Sequence, residues 1–137
     1  MDTQTIFVDT GAWYALADRS DQYHDRAVRI YPELLRSYQH LVTTNLVIAE
    51  TYILMRRGLG HQAAVTFLDR LSASSRVRKL YSDESLEENA VDILRQYQDQ
   101  AFSYTDAVSF SVMRQHGIAQ SFSFDQHFKT AGFILVP

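Results

Sequence analysis

The run Ile6-Phe7-Val8-Asp9 constrains the fold of this chain more than any other stretch. Three consecutive apolar residues bounded by polar ones read as a short buried strand. Thr10 and Gly11 then make a turn, and Ala12 to Ala17 read as the start of a helix. In open parallel α/β sheets, ligands bind outside the carboxyl ends of the strands. An acid at that point is placed for chemistry rather than packing. Asp9 is therefore read as the centre of a metal site, to which the rest of the chain brings further carboxylates.

The remaining segments repeat the strand–helix alternation. Asp21 to Tyr38 places Ala27, Val28, Tyr31, Leu34, Leu35 and Tyr38 near a 3.6-residue spacing, which predicts an amphipathic helix. Pro32 should kink or split it near Tyr31. Leu41-Val42-Thr43 is a short strand. Asn45 as N-cap and Gly58 as C′ glycine bracket a helix from Leu46 to Arg57. That helix is apolar almost all round and is expected to be buried. His61 to Ser72 forms a further helix, and Val77 to Tyr81 a strand. Ser82 and Asp83 cap a helix whose inner stripe is Leu86, Ala90, Ile93, Leu94 and Tyr97. Another helix runs from Ser103 or Tyr104 to His116 and ends at Gly117. Ile118 to Phe124 is a strand leading into Asp125 and a short helical turn over Gln126 to Thr130, and Phe133 to Val136 is the last strand. Such alternation implies right-handed βαβ units, hence an α/β fold with a parallel sheet covered by helices on both faces. With two prolines, five glycines, no repeat and no linker in 137 residues, a single domain spanning 1–137 is expected.

Composition removes several classes of function. No run of 18 apolar residues exists, so no membrane-spanning helix is expected. The start of the chain, Met1 to Thr5, is polar and carries Asp2 where a secretory signal would be basic. The absence of cysteine excludes disulfides and thiolate metal sites and suits a cytoplasmic protein. The net charge of −3, from 13 basic and 16 acidic residues, is not that of a protein binding nucleic acid mainly by charge. Setting aside four candidate site acids leaves 12 acids against 13 bases, a near-neutral surface open to phosphates once cations fill the site.

Those four acids are Asp9, Glu50, Asp106 and Asp125. Each has a purely structural alternative. Asp9 could be an Asx-turn or N-cap residue. Asp106, three residues after Ser103, could complete a capping box. Asp125 could cap the short helix that follows it. Glu50 could occupy a narrow solvent stripe, but a carboxylate in an otherwise apolar helix is costly unless paired, exposed or bound to a cation. Clustered carboxylates repel and their pKa values rise. Hard cations held by oxygen ligands resolve that repulsion, which points to Mg²⁺ or Mn²⁺. The five histidines show no paired spacing that would suggest zinc, and His24, His116 and His127 read as surface or packing residues. Trp13, Tyr14 and Tyr104 read as core rather than base-stacking aromatics. Arg56 and Arg57 read as complements to a helix C-terminus, while Arg114 and Lys129 are ambiguous.

At these residues the chain resembles the PIN domain, and within that family the toxin nuclease of VapBC-type toxin–antitoxin pairs. The matching segments are Ile6-Phe7-Val8-Asp9-Thr10, Asn45-Leu46-Val47-Ile48-Ala49-Glu50-Thr51, Tyr104-Thr105-Asp106-Ala107-Val108-Ser109 and Ser121-Phe122-Ser123-Phe124-Asp125-Gln126-His127-Phe128. The resemblance runs from Thr5 to Pro137, and all four family acids are present. It implies a three-layer α/β/α sandwich with a five-stranded parallel sheet, a homodimer, an RNA substrate, and an antitoxin whose tail blocks the cleft. It also implies Asp9, Asp106 and Asp125 as ligands of Mg²⁺ or Mn²⁺, with Glu50 binding metal or holding a water at it. Thr10 and Ser123 would be supporting hydroxyls, or equally turn residues. The implied reaction is in-line hydrolysis of a phosphodiester by metal-activated water.

Two rivals remain at this level. An aspartyl-nucleophile phosphatase would need a second aspartate at position 11, where this chain has glycine. A non-catalytic PIN-like module that only binds RNA or an antitoxin would have no use for four intact acids.

Overall fold

The computed structural model describes residues 3–136. Met1 and Asp2, on which the reading of the N-terminus partly rests, lie outside it, as does Pro137. Its centre is β1 (Thr5–Val8), every residue of which is buried. The other strands are β2 (His40–Thr44), β3 (Val77–Leu80), β4 (Gln120–Phe122) and β5 (Ile134–Val136). They form one sheet in the order β3-β2-β1-β4-β5 with every pairing parallel. Phe7 stands in register with Val42 on one side and Ser121 on the other. The order reverses at β1: the chain first builds outward through β2 and β3, then crosses back to β4. A crevice therefore opens at the carboxyl end of β1, where Asp9 lies.

The connecting helices are α1 (Thr10–Ala17), α2 (His24–Ser37), α3 (Asn45–Leu59), α4 (His61–Ala73), α5 (Glu84–Gln96), α6 (Tyr104–His116) and α7 (His127–Thr130). The helices α1 to α4 pack on one another, and α5 to α7 form the second group. This is the α/β/α arrangement anticipated from the alternation of elements. No described helix is long and apolar enough to cross a membrane. The core against α6 is aromatic: Phe7, Phe110, Phe122 and Phe128 are fully buried. Phe110 meets Phe128 edge to face at 4.9 Å and 85°, the geometry that ring quadrupoles favour.

Several expectations are corrected. Thr10 and Gly11 are not a separate turn but the first residues of α1, and the backbone carbonyl of Asp9 accepts hydrogen bonds from Ala12 and Trp13. Helix α2 begins at His24, not Asp21, and runs unbroken through Pro32. The N–H that proline lacks would have bonded the carbonyl of Val28, a residue 47 % exposed, so water can serve that carbonyl instead. Helix α3 is capped by Thr44, whose side chain accepts from the Val47 N–H, while the Asn45 side chain accepts from Ser82. Gly58 lies inside α3, and the chain leaves the helix at Gly60 with φ of 97°. At Gly58 the hydroxyl of Tyr14 occupies the space of a Cβ.

Nor is α3 buried all round. Only Val47, Thr51 and Met55 are, a stripe at four-residue spacing, while Ile53, Leu54 and Leu59 are exposed. Strand β4 is three residues long and ends at Phe122, which leaves Ser123 and Phe124 in the loop before Asp125. The last strand begins at Ile134 and the last helix at His127, each one residue later than expected.

Replacing Phe110 with alanine should destabilise the fold by about 3–5 kcal/mol, since it removes a fully buried ring with three aromatic neighbours. Chemical denaturation of the two proteins measures it.

Candidate active site

The four acids come from four different elements and line one cleft of about 690 Å³ with Thr10. Asp9 directly follows β1, Glu50 lies in the middle of α3, Asp106 sits in the first turn of α6, and Asp125 follows β4 in the loop before α7. Asp9 and Asp106 are buried, at 6 % and 9 % exposure, whereas Glu50 and Asp125 are half-buried.

Hydrogen bonds fix three of the carboxylates. The Ser123 hydroxyl donates to Asp9 Oδ2 at 3.1 Å and accepts from the Asp125 N–H at 3.0 Å. Ser123, fully buried, thus ties two site acids together. Asp106 does form the anticipated capping box: its N–H donates to Ser103 Oγ and its Oδ2 accepts from the Ser103 N–H, both at 3.0 Å. Asp125 Oδ1 accepts from the His127 N–H at 2.9 Å, so it too serves a helix start. Asp9 makes no side-chain cap hydrogen bond to α1. Capping and ligation are compatible, because an ionised carboxylate offers two oxygens with about four lone-pair sites.

At Asp9 burial dominates the electrostatics. Burial pushes the Asp9 carboxyl up from 3.8 to about 7; the Thr10 backbone N–H opposes this, the charges of Asp106 and Asp125 add to it, and the Ser123 hydroxyl opposes it. The Thr10 hydroxyl is buried and has no hydrogen-bond partner. A buried acid with a raised pKa, a buried hydroxyl without a hydrogen-bond partner and a donor set of oxygens fit a hard divalent cation. Asp9, Asp106 and Asp125 would hold it, with Glu50 facing the same cleft.

Sequence reasoning missed one residue here. His127, read as surface or packing, has its buried Nδ1 at 3.4 Å from both Asp106 Oδ2 and Asp125 Oδ1. Its two-residue spacing from Asp125 was the available signal, but only the fold brings Asp106 to it. The aromatics divide. Trp13 is core, as expected; Tyr14 stands half-buried on the cleft wall; Tyr104 is exposed and donates to Glu87 at 2.6 Å, contrary to the core reading. Of the cations, Arg57 lines the cleft beside Glu50, while Arg56 pairs with the His61 ring. Lys129 and Arg114 line separate cavities.

A five-stranded parallel sheet with acids gathered at the carboxyl end of its central strand is the architecture of PIN-type nucleases. The PIN-domain family model matches residues 6–134, and the chain belongs to that family. It is 39 % identical over 132 residues to the 23S rRNA-specific endonuclease VapC20 of Mycobacterium tuberculosis, an alignment covering 96 % of this chain and 97 % of the relative. The crystal structure of Mycobacterium tuberculosis VapC20, described as a sarcin-ricin loop cleaving toxin, superposes with a TM-score of 0.87 at 36 % identity and covers 94 % of this chain and 96 % of that one. VapBC2 from Rickettsia felis, solved with a promoter DNA fragment, shares the fold at a TM-score of 0.71 and 13 % identity, over 96 % of this chain and 97 % of that one. The chain is accordingly a toxin-type nuclease of the PIN family.

The raised pKa of Asp9 has a measurable consequence without metal. Below about pH 4 the carboxyl is protonated folded or unfolded. Between about 4 and 7 only the folded form holds the proton, so stability falls as pH rises through that window. Asp9→Asn should therefore leave the metal-free protein more stable than the parent at pH 8, by an amount on the order of a few kcal/mol. The gap should close towards pH 3.5, as thermal melts across the range would record.

Proposed function

We propose that the chain is the toxin of a type II toxin–antitoxin pair, a Mg²⁺- or Mn²⁺-dependent endoribonuclease acting in the cytoplasm as a homodimer. The observation that carries the catalytic part is the convergence of Asp9, Glu50, Asp106 and Asp125 on one cleft at the carboxyl end of the central strand. The name of VapC20 makes 23S rRNA the first substrate to test.

In this reading Asp9, Asp106 and Asp125 would hold the cation, Ser123 orients Asp9, and Glu50 would position the attacking water from the α3 side of the cleft. The bound cation supplies a lowered water pKa and stabilisation of the leaving oxygen. As a ligand Asp9 would be ionised, the cation's charge offsetting the solvation that burial removes. The substrate needs no covalent link to the protein, so no side-chain nucleophile is assigned. Arg57, on the cleft wall beside Glu50, is suited to a backbone phosphate of the RNA.

An antitoxin partner suits a second feature. Trp13, Leu16, Val28, Tyr31, Leu59 and Phe67 line an apolar groove of about 830 Å³ between α1, α2, α3 and α4. A partner segment covering it would lie across α1, the helix that directly follows Asp9, and so close to the cleft.

Asp9→Asn should keep the fold and the dimer, as read by circular dichroism and sedimentation, while lowering metal-dependent cleavage of 23S rRNA by about 10²–10³-fold or more. Full activity in that variant would refute the assignment. RNA bound equally with and without Mg²⁺, and never cut, would favour the non-catalytic module.

A further inference from the structure

We infer that His127 is a nitrogen ligand of the cation held by Asp106 and Asp125, so that the centre is a mixed oxygen–nitrogen site favouring Mn²⁺ over Mg²⁺. The inference rests on the metal-dependent reading above and adds to it a residue that the four-acid pattern does not contain.

The geometry singles out Asp106, Asp125 and His127 among the described residues as a group whose ligand atoms all lie within 4.8 Å of one another. His127 Nδ1 is 3.4 Å from an oxygen of each carboxylate. Two neighbouring ligands on an octahedral ion at about 2.1 Å stand about 3.0 Å apart, so an inward movement of a few tenths of an ångström brings either pair to a common cation. The nitrogen is buried and makes no hydrogen bond; it approaches two carboxylate oxygens, which themselves accept the Ser103 and His127 backbone N–H groups. A buried polar atom without a partner is costly, and a cation would remove that cost.

The ring is also held in place. The His127 backbone N–H donates to Asp125 Oδ1 at 2.9 Å, which locks the first turn of α7. Phe102 packs against the imidazole edge to face at 5.2 Å and 75°. The buried Thr10 hydroxyl, 5 % exposed and without a partner, is a second polar group in the cleft that Asp106 and Asp125 line. Imidazole nitrogen suits transition-metal ions, whereas Mg²⁺ prefers oxygen and water. One histidine among carboxylates therefore shifts preference towards Mn²⁺ without excluding Mg²⁺. The competing role is purely electrostatic, with a protonated His127 paired to both acids; it would bring no nitrogen to the metal and no preference between the two ions.

The full chain loaded with one equivalent of Mn²⁺ tests this by pulsed electron paramagnetic resonance. The expected spectrum contains the ¹⁴N modulation of a coordinated imidazole, and His127→Gln abolishes it. By calorimetry the same variant should weaken Mn²⁺ binding about tenfold or more and Mg²⁺ binding distinctly less. Bound Mn²⁺ with no nitrogen coupling in the parent protein would overturn the inference while leaving the acid site intact; that measurement needs no variant to fold. Coupling that survives in His127→Gln, or equal losses for both ions, would overturn it too. Failure of the parent to bind either ion, or Mn²⁺ binding unchanged in Asp9→Asn and Asp106→Asn, would overturn this inference together with the metal reading beneath it.

Discussion

Three carboxylates crowded at the end of one buried strand are the constraint on which the rest of this structure depends. Asp9 is placed there by local sequence: Ile6, Phe7 and Val8 are fully buried in the central strand, so the next residue stands at that strand's carboxyl end. Asp106 and Asp125 arrive through later elements, and their charges raise the Asp9 pKa further than burial alone does. Such an arrangement opposes folding in the absence of a counter-charge. It persists because the surrounding core is well packed and because Ser123 and the α6 capping box hold the acids by hydrogen bonds that do not depend on metal.

Structural and functional roles are therefore superposed on the same side chains. Asp106 both completes a capping box and faces the cleft; Asp125 both bonds the start of α7 and faces the cleft. The alternatives weighed from sequence were not exclusive. A carboxylate has enough lone pairs to hold a helix start and reach a cation. Fixing a carboxylate through one oxygen orients the whole group, which is what a ligand of a geometrically demanding divalent ion requires.

What was legible in the sequence was whatever follows from local pattern. The strand ending at Asp9 and the Ser103–Asp106 cap are written in adjacent residues, and so is the left-handed stop at Gly117. Burial of α3 was misjudged because helix hydrophobicity does not say how many faces have neighbours: Val47, Thr51 and Met55 find the core, while Ile53, Leu54 and Leu59 do not. Pro32 was misjudged because its effect depends on whether the orphaned carbonyl meets water, and the turn around Val28 is exposed. His127 was passed over because its significance lies in Asp106, 21 positions away in sequence and brought near only by the packing of α7 on α6.

Anomalous diffraction from crystals of the full chain grown with Mn²⁺ tests the shared-cation account most directly. A manganese peak within ligand distance, about 2.2 Å, of oxygens from Asp9, Asp106 and Asp125 together is the predicted result. Density for the ion elsewhere, or none in this cleft at concentrations that support RNA cleavage, would contradict it.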